Sequence, residues 1–147
     1  MEEFVKKWDN GLAFTLETID AMPDDLLDYK PHASAMSFKE QVAHSATSIV
    51  WIAKNTLDGP EPDFDTSATP ANKAELKALV EASYAYGKNL VASLSPEDLE
   101  TQVESFAGTV TKRQLLALMD DHATHHRGAA IAYIRANGIE PPRYRGL

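Results

Sequence analysis

The chain has 147 residues, 44% hydrophobic and 24% charged, the size and composition of one globular domain with a buried core. It contains no cysteine, which excludes disulfides, thiolate metal ligands and a cysteine nucleophile. A net charge of −8 argues against nucleic acid or an anionic membrane as the main partner.

The charge is uneven. Residues 111–147 hold six Lys/Arg against three Asp/Glu, a balance of +3 that leaves −11 on the first 110 residues. A locally basic C-terminal part could hold an anionic substrate or an acidic partner face, although such runs usually only solvate a helix surface. No apolar stretch approaches the roughly 20 residues that span a bilayer. The start, Met1 to Lys7, lacks the basic, apolar and small-residue parts of a secretory signal. The expectation is a cytoplasmic protein, one domain over residues 1–147.

Apolar residues recur at helical spacing in four blocks. The first runs from Glu2 to Ile19, with Phe4, Trp8, Leu12, Thr15, Leu16 and Ile19 at steps of three and four, and Pro23 closes it. The second opens at Ser37 with Glu40 three residues on, the reciprocal capping pattern. Its inward stripe reads Val42 or Gln41, His44 or Ser45, then Ser48, Ile49, Ile52 and Thr56, with Trp51 flanking. Residues 58–70, rich in proline and acidic side chains, read as an exposed loop. The third block carries Leu76, Leu79, Val80, Ser83, Tyr84, Gly87, Leu90, Val91 and Leu94. Residues 100–110 around Gly108 fit a short irregular hairpin or a loop. The fourth block starts at Thr111, capped by Gln114, and passes Leu115, Leu118, His122, His126, Tyr133 and Ile134 before Asn137-Gly138 ends it.

Four amphipathic helices without a strand series predict an all-α four-helix bundle. The loop at 58–70 is longer than an antiparallel hairpin needs, so it suggests a crossover and an up-down-down-up order.

Histidine carries the chemistry. His122 and His126, four residues apart on a helix, share one face about one turn apart. That spacing lets one helix give two nitrogens to a zinc-sized ion. Their face is the apolar one, so both point into the bundle. His44 sits mid-helix in an otherwise apolar stretch, where an unpaired imidazole costs about 1–3 kcal/mol. Facing helices of a bundle bring such side chains together, and three histidines without a fourth protein ligand leave a position for water or substrate.

The bland readings stand beside this one. A lone histidine on an apolar face is more often hydrogen-bonded core, and a lone HxxxH pair arises by chance on long helices. Ala123 follows the first histidine where a metalloprotease motif needs glutamate, so a protease is disfavoured. His125 lies a step off the shared face, and His32 beside Pro31 reads as surface. Asp121 (with Asp120) could orient a ligating imidazole or act as general base, and Tyr133 could offer a hydroxyl; both are candidate catalytic residues. No phosphate-binding glycine loop and no serine-hydrolase elbow occurs.

The string His122-Ala-Thr-His-His-Arg-Gly128, followed by residues 131–138 and Pro141, resembles the C-terminal signature of the DinB-like (YfiT-like) superfamily. Residues 35–44 with Trp51 are similar to that family's first histidine helix. The resemblance covers essentially the whole chain. It implies an up-down-down-up four-helix bundle, usually a homodimer, with a divalent metal, commonly zinc or nickel, on His44, His122 and His126. It also implies a metal-dependent transferase or hydrolase acting on a small molecule, with a low-molecular-weight thiol cosubstrate or metal-activated water. One departure is Ala129, where the family often has glutamine after the HHRG string. Two rivals remain: a non-catalytic dimeric stress-response or ligand-binding module whose metal is structural or absent, and an adaptor using the acidic loop.

Overall fold

The structure is a computed structural model that describes residues 2–146. Four helices dominate it: α1 (Glu2–Ala21), α2 (Phe38–Thr56), α3 (Lys73–Ser93) and α4 (Lys112–Ala136). Between α3 and α4 lies an antiparallel hairpin, β1 (Gln102–Ser105) and β2 (Gly108–Thr111), with Val103 opposite Val110. Of the two sequence alternatives for this segment, the hairpin forms. Gly108 closes its turn at a φ of 88°, which glycine reaches without steric cost.

Helix boundaries follow local chemistry. At α2 the Ser37 hydroxyl accepts from the Glu40 N–H, and the Glu40 carboxylate accepts from the Ser37 N–H at 2.6 Å. Thr111 and Gln114 repeat this at α4. Asn72 caps α3 by accepting from the Glu75 N–H at 3.0 Å. The exit of α4 is a left-handed Gly138, φ 72°, with the Ile139 N–H donating back to the Ile134 carbonyl.

Side-chain pairings fix the directions of the helices. Asp9 pairs with Lys88 and Asp20 with Lys77, so α1 and α3 are antiparallel. Lys7 pairs with Asp120, and the Gly11 carbonyl accepts from Arg127, so α1 and α4 are parallel. Gln41 bonds Tyr133 and Ser45 bonds the Ala123 carbonyl, so α2 and α4 are antiparallel. Both α2 and α3 therefore oppose α1, and the order is up-down-down-up. Two consecutive parallel helices require a return along a whole helix, about 28 Å for 19 residues. The long loop supplies it. Its start is held by Lys112, whose ammonium meets Asp58 at 3.2 Å, and by Tyr86, whose hydroxyl donates to the Pro60 carbonyl.

The core fills the space between the four helices, with Ile19, Phe38, Ile49, Leu76, Leu115, Met119 and Ile134 almost wholly buried. The α3 stripe matches its sequence reading residue for residue from Leu76 to Val91. On α1 the buried face differs in part: Thr15 is inside as its spacing predicts, but Phe14 and Thr18 are inside as well, whereas Leu12 and Leu16 are half-buried. Threonine tolerates that burial because each hydroxyl donates to its own helix, Thr15 to the Gly11 carbonyl and Thr18 to that of Phe14. Among the described residues no helix is long and apolar enough to cross a membrane.

Candidate metal centre

Two helices build the site. His44 comes from the middle of α2, and His122 and His126 from successive turns of α4. Because these helices are antiparallel neighbours, their mid-helix faces meet. One nitrogen from each ring lies within 4.8 Å of the other two. The ring centroids are 5.1 Å apart for His44–His122, 4.6 Å for His44–His126 and 4.5 Å for His122–His126. His126 is buried, and His44 and His122 are half-buried.

The donors fit a divalent cation. The Nε2 atoms of His122 and His126 face each other at 3.2 Å. Two nitrogens bound at about 2.05 Å to one tetrahedral ion stand about 3.3 Å apart. The protonation states agree as well. Burial first, then the neighbouring charges of His122, His44 and His125, push His126 down to about 4. Burial, followed by His44 and His125, lowers His122 too. Both imidazoles are therefore neutral at pH 7, the form that ligates metal.

Gln41 holds the buried ring in place. It lies one turn before His44 on α2, and its Oε1 stands 2.5 Å from His126 Nδ1. Its amide nitrogen donates to the Tyr133 hydroxyl at 3.1 Å. With Oε1 as acceptor, Nδ1 of His126 carries the proton and Nε2 presents its lone pair to the site. Among the described residues Tyr133 is linked to the triad through this hydrogen bond to Gln41. In the sequence Gln41 was only an alternative to Val42 on the inward stripe; its place three residues before a candidate ligand was the available signal. Gln41→Leu removes this acceptor and should weaken zinc affinity by about 10–100-fold while leaving the three ligands intact. A competition titration with a chromophoric chelator checks it, and unchanged affinity would count against the tautomer argument.

The other candidates lie outside the cluster. Asp121 is exposed and makes no hydrogen bond to the triad among the described residues, while Asp120 pairs with Lys7. His125 is exposed with its ring 4.9 Å from that of His126. His32 is exposed and bonds Ser34. Ala129 is half-buried. Arg127 of the signature string packs 5.0 Å over the Phe14 ring and donates to the Gly11 carbonyl, Thr15 and Tyr84, joining α4 to α1 and α3. A cleft of ≈ 900 Å³ opens on His44 and His122, walled by α2, the hairpin tip and the long loop.

An up-down-down-up bundle with three histidines converging on a cleft defines a class of helical proteins with a candidate metal centre on two neighbouring helices. The sequence places the protein within that class more narrowly. The chain belongs to the DinB family, whose model matches residues 1–147. It is similar to YjoA of Bacillus subtilis (strain 168), 28% identical over 135 residues, covering 89% of this chain and 87% of that one. The crystal structure of that DinB-like protein superposes with a TM-score of 0.80 at 25% identity over 99% of both chains. A DinB-like protein from Bacillus cereus gives a TM-score of 0.85 at 18% identity, over 99% of this chain and 97% of the other. YfiT from Bacillus subtilis, described as a probable metal-dependent hydrolase with an unusual four-helix bundle topology, gives 0.69 at 17% identity, over 93% of this chain and 87% of its own.

Proposed function

We propose that this protein binds one divalent cation, zinc or nickel, through His44, His122 and His126, and uses it for hydrolysis or group transfer on a small molecule. The observation that carries this reading is the convergence of three imidazole nitrogens within 4.8 Å of one another beside an open cleft. A three-nitrogen site with a free position supplies Lewis-acid polarisation and lowers the pKa of whatever protic ligand fills that position.

The chain's own part is positioning. Gln41 fixes the tautomer of His126, Tyr133 steadies Gln41, and the antiparallel contact of α2 with α4 sets the distance to His44. Leu118 and Phe64 line the cleft and give its wall an apolar surface. Because the chain has no cysteine, a thiol must arrive as a cosubstrate; water and a small thiol compete for the same position. The homodimer implied by the family resemblance is part of the proposal and is read by sedimentation equilibrium.

The test uses tag-free protein, stripped with chelator and reloaded with zinc or nickel. It is assayed on small esters and amides, and on an electrophilic probe with several small thiols. Turnover in the loaded wild type that falls to background in His126→Ala supports the proposal. Equal rates in the two proteins reject catalysis at this site, and stoichiometric metal without turnover would assign the ion a structural role.

A further inference from the structure

Two aromatic side chains stand where a protein surface ordinarily places polar ones. Trp51 is 53% exposed and Phe106 is 60% exposed. They come from unrelated elements, α2 and the tip of the β1–β2 hairpin, yet their ring centroids are 5.4 Å apart at an interplanar angle of 57°. Trp51 follows His44 by seven residues, two helical turns on the same face, which sets it about 10 Å along the axis from that histidine. Phe64 from the long loop and Leu118 from α4 continue the apolar wall of the cleft towards His122.

The charges along the cleft are committed elsewhere. Lys54 binds Glu61 at 2.6 Å, and Asp65 accepts from the N–H and hydroxyl of Ser67. These three groups leave one net negative charge on the lining. The adjoining hollow holds Lys30 and Lys39, which pair with Glu40 and Asp28. Of the arginines of the basic C-terminal part, Arg113 binds Glu100 and Arg145 binds Glu17, and none lines the cleft. Apart from an ion held by the histidines, an anionic ligand would meet no unpaired cation among the described lining residues, and would face Asp65.

We propose that Trp51 and Phe106, packed against each other, form an aromatic platform that selects a planar, uncharged, apolar group as the part of the substrate remote from the histidines. The rings offer faces and edges for stacking, and the distance to His44 is that of a two-ring ligand with a short linker. A small molecule fits better than a second copy of the chain. The pair lines a concave cleft, and two side chains supply far less than the roughly 800 Å² per partner of a stable protein interface. The inference rests on the metal-site reading only for where the reacting end of the substrate lies; the platform itself needs no ion.

The experiment is equilibrium dialysis of 2-naphthol and of 2-naphthyl phosphate against both chelator-treated and zinc-loaded protein. Wild type is compared with Trp51→Ala and Phe106→Ala. Both side chains are exposed, so melting curves should confirm that the variants remain folded. The expected result is that naphthol binds with or without zinc, that the chelator-treated protein binds it about tenfold more tightly than its phosphate, and that each variant weakens it about threefold to tenfold. Equal or tighter binding of the phosphate to the chelator-treated protein overturns the platform, as does naphthol affinity unchanged in Trp51→Ala. So does a dimer that dissociates in Trp51→Ala, because the pair would then be a contact between copies. Failure of zinc binding with the naphthol pattern intact rejects the metal reading alone, whereas the reverse rejects the platform alone.

Discussion

Zinc added to the chelator-treated protein should raise its melting temperature by about 8–16 °C, and His126→Ala should abolish the rise. An ion that binds only the folded chain stabilises it by about 4 kcal/mol when free metal is a thousandfold above Kd. For a domain near 150 residues each kcal/mol moves the midpoint by about 2–4 °C. His126 is the ligand to remove because it is the most buried of the three and the one whose tautomer is set by Gln41. The substitution also leaves the Gln41 carbonyl without its partner, so the metal-free variant will melt lower than metal-free wild type. The informative quantity is therefore the shift on adding zinc, followed by scanning calorimetry in both proteins. An equal shift in His126→Ala would move the ion away from this cluster.

Gly87→Val should lower the melting temperature by about 6–12 °C without altering the zinc shift. Gly87 lies inside α3 where α1, α2 and α3 meet, and it is buried. A Cβ there would stand 2.6 Å from Ile49 Cγ2 and 2.9 Å from Trp8 Cζ3, closer than carbon atoms approach. Ile49 and Trp8 are themselves buried, so neither can swing aside. Overpacking of this kind costs about 1–3 kcal/mol and occasionally more, and the second methyl of valine places the cost at the upper end. Gly87→Ala should be milder, because alanine recovers about 1 kcal/mol of helix propensity. Urea titration ranks the three proteins. A Gly87→Val protein as stable as wild type would mean that the three helices can separate there cheaply.

Much of this protein is legible without coordinates. The α3 stripe, both reciprocal caps and the glycine exit of α4 rest on interactions within a few residues, so local patterns reveal them. Where the reading of α1 slipped, the reason is specific. Thr18 looks polar in a list of residues, but its hydroxyl is satisfied by the Phe14 carbonyl one turn back and the side chain then packs as an apolar group. The Trp51–Phe106 contact joins positions 55 residues apart, and no spacing rule connects a helix to the tip of a later hairpin.

By itself the sequence determined the four helices, the face shared by His122 and His126, and the need for a crossover between α2 and α3, because periodicity, capping and chain length govern all three. That His44 meets that pair, that Gln41 bonds His126 at Nδ1, and that Asp121 makes no hydrogen bond to the triad among the described residues came from the packing of helices. Those outcomes depend on how α2 is rotated and slid against α4. Packing of two helix surfaces sets that register, and the order of residues along either helix does not.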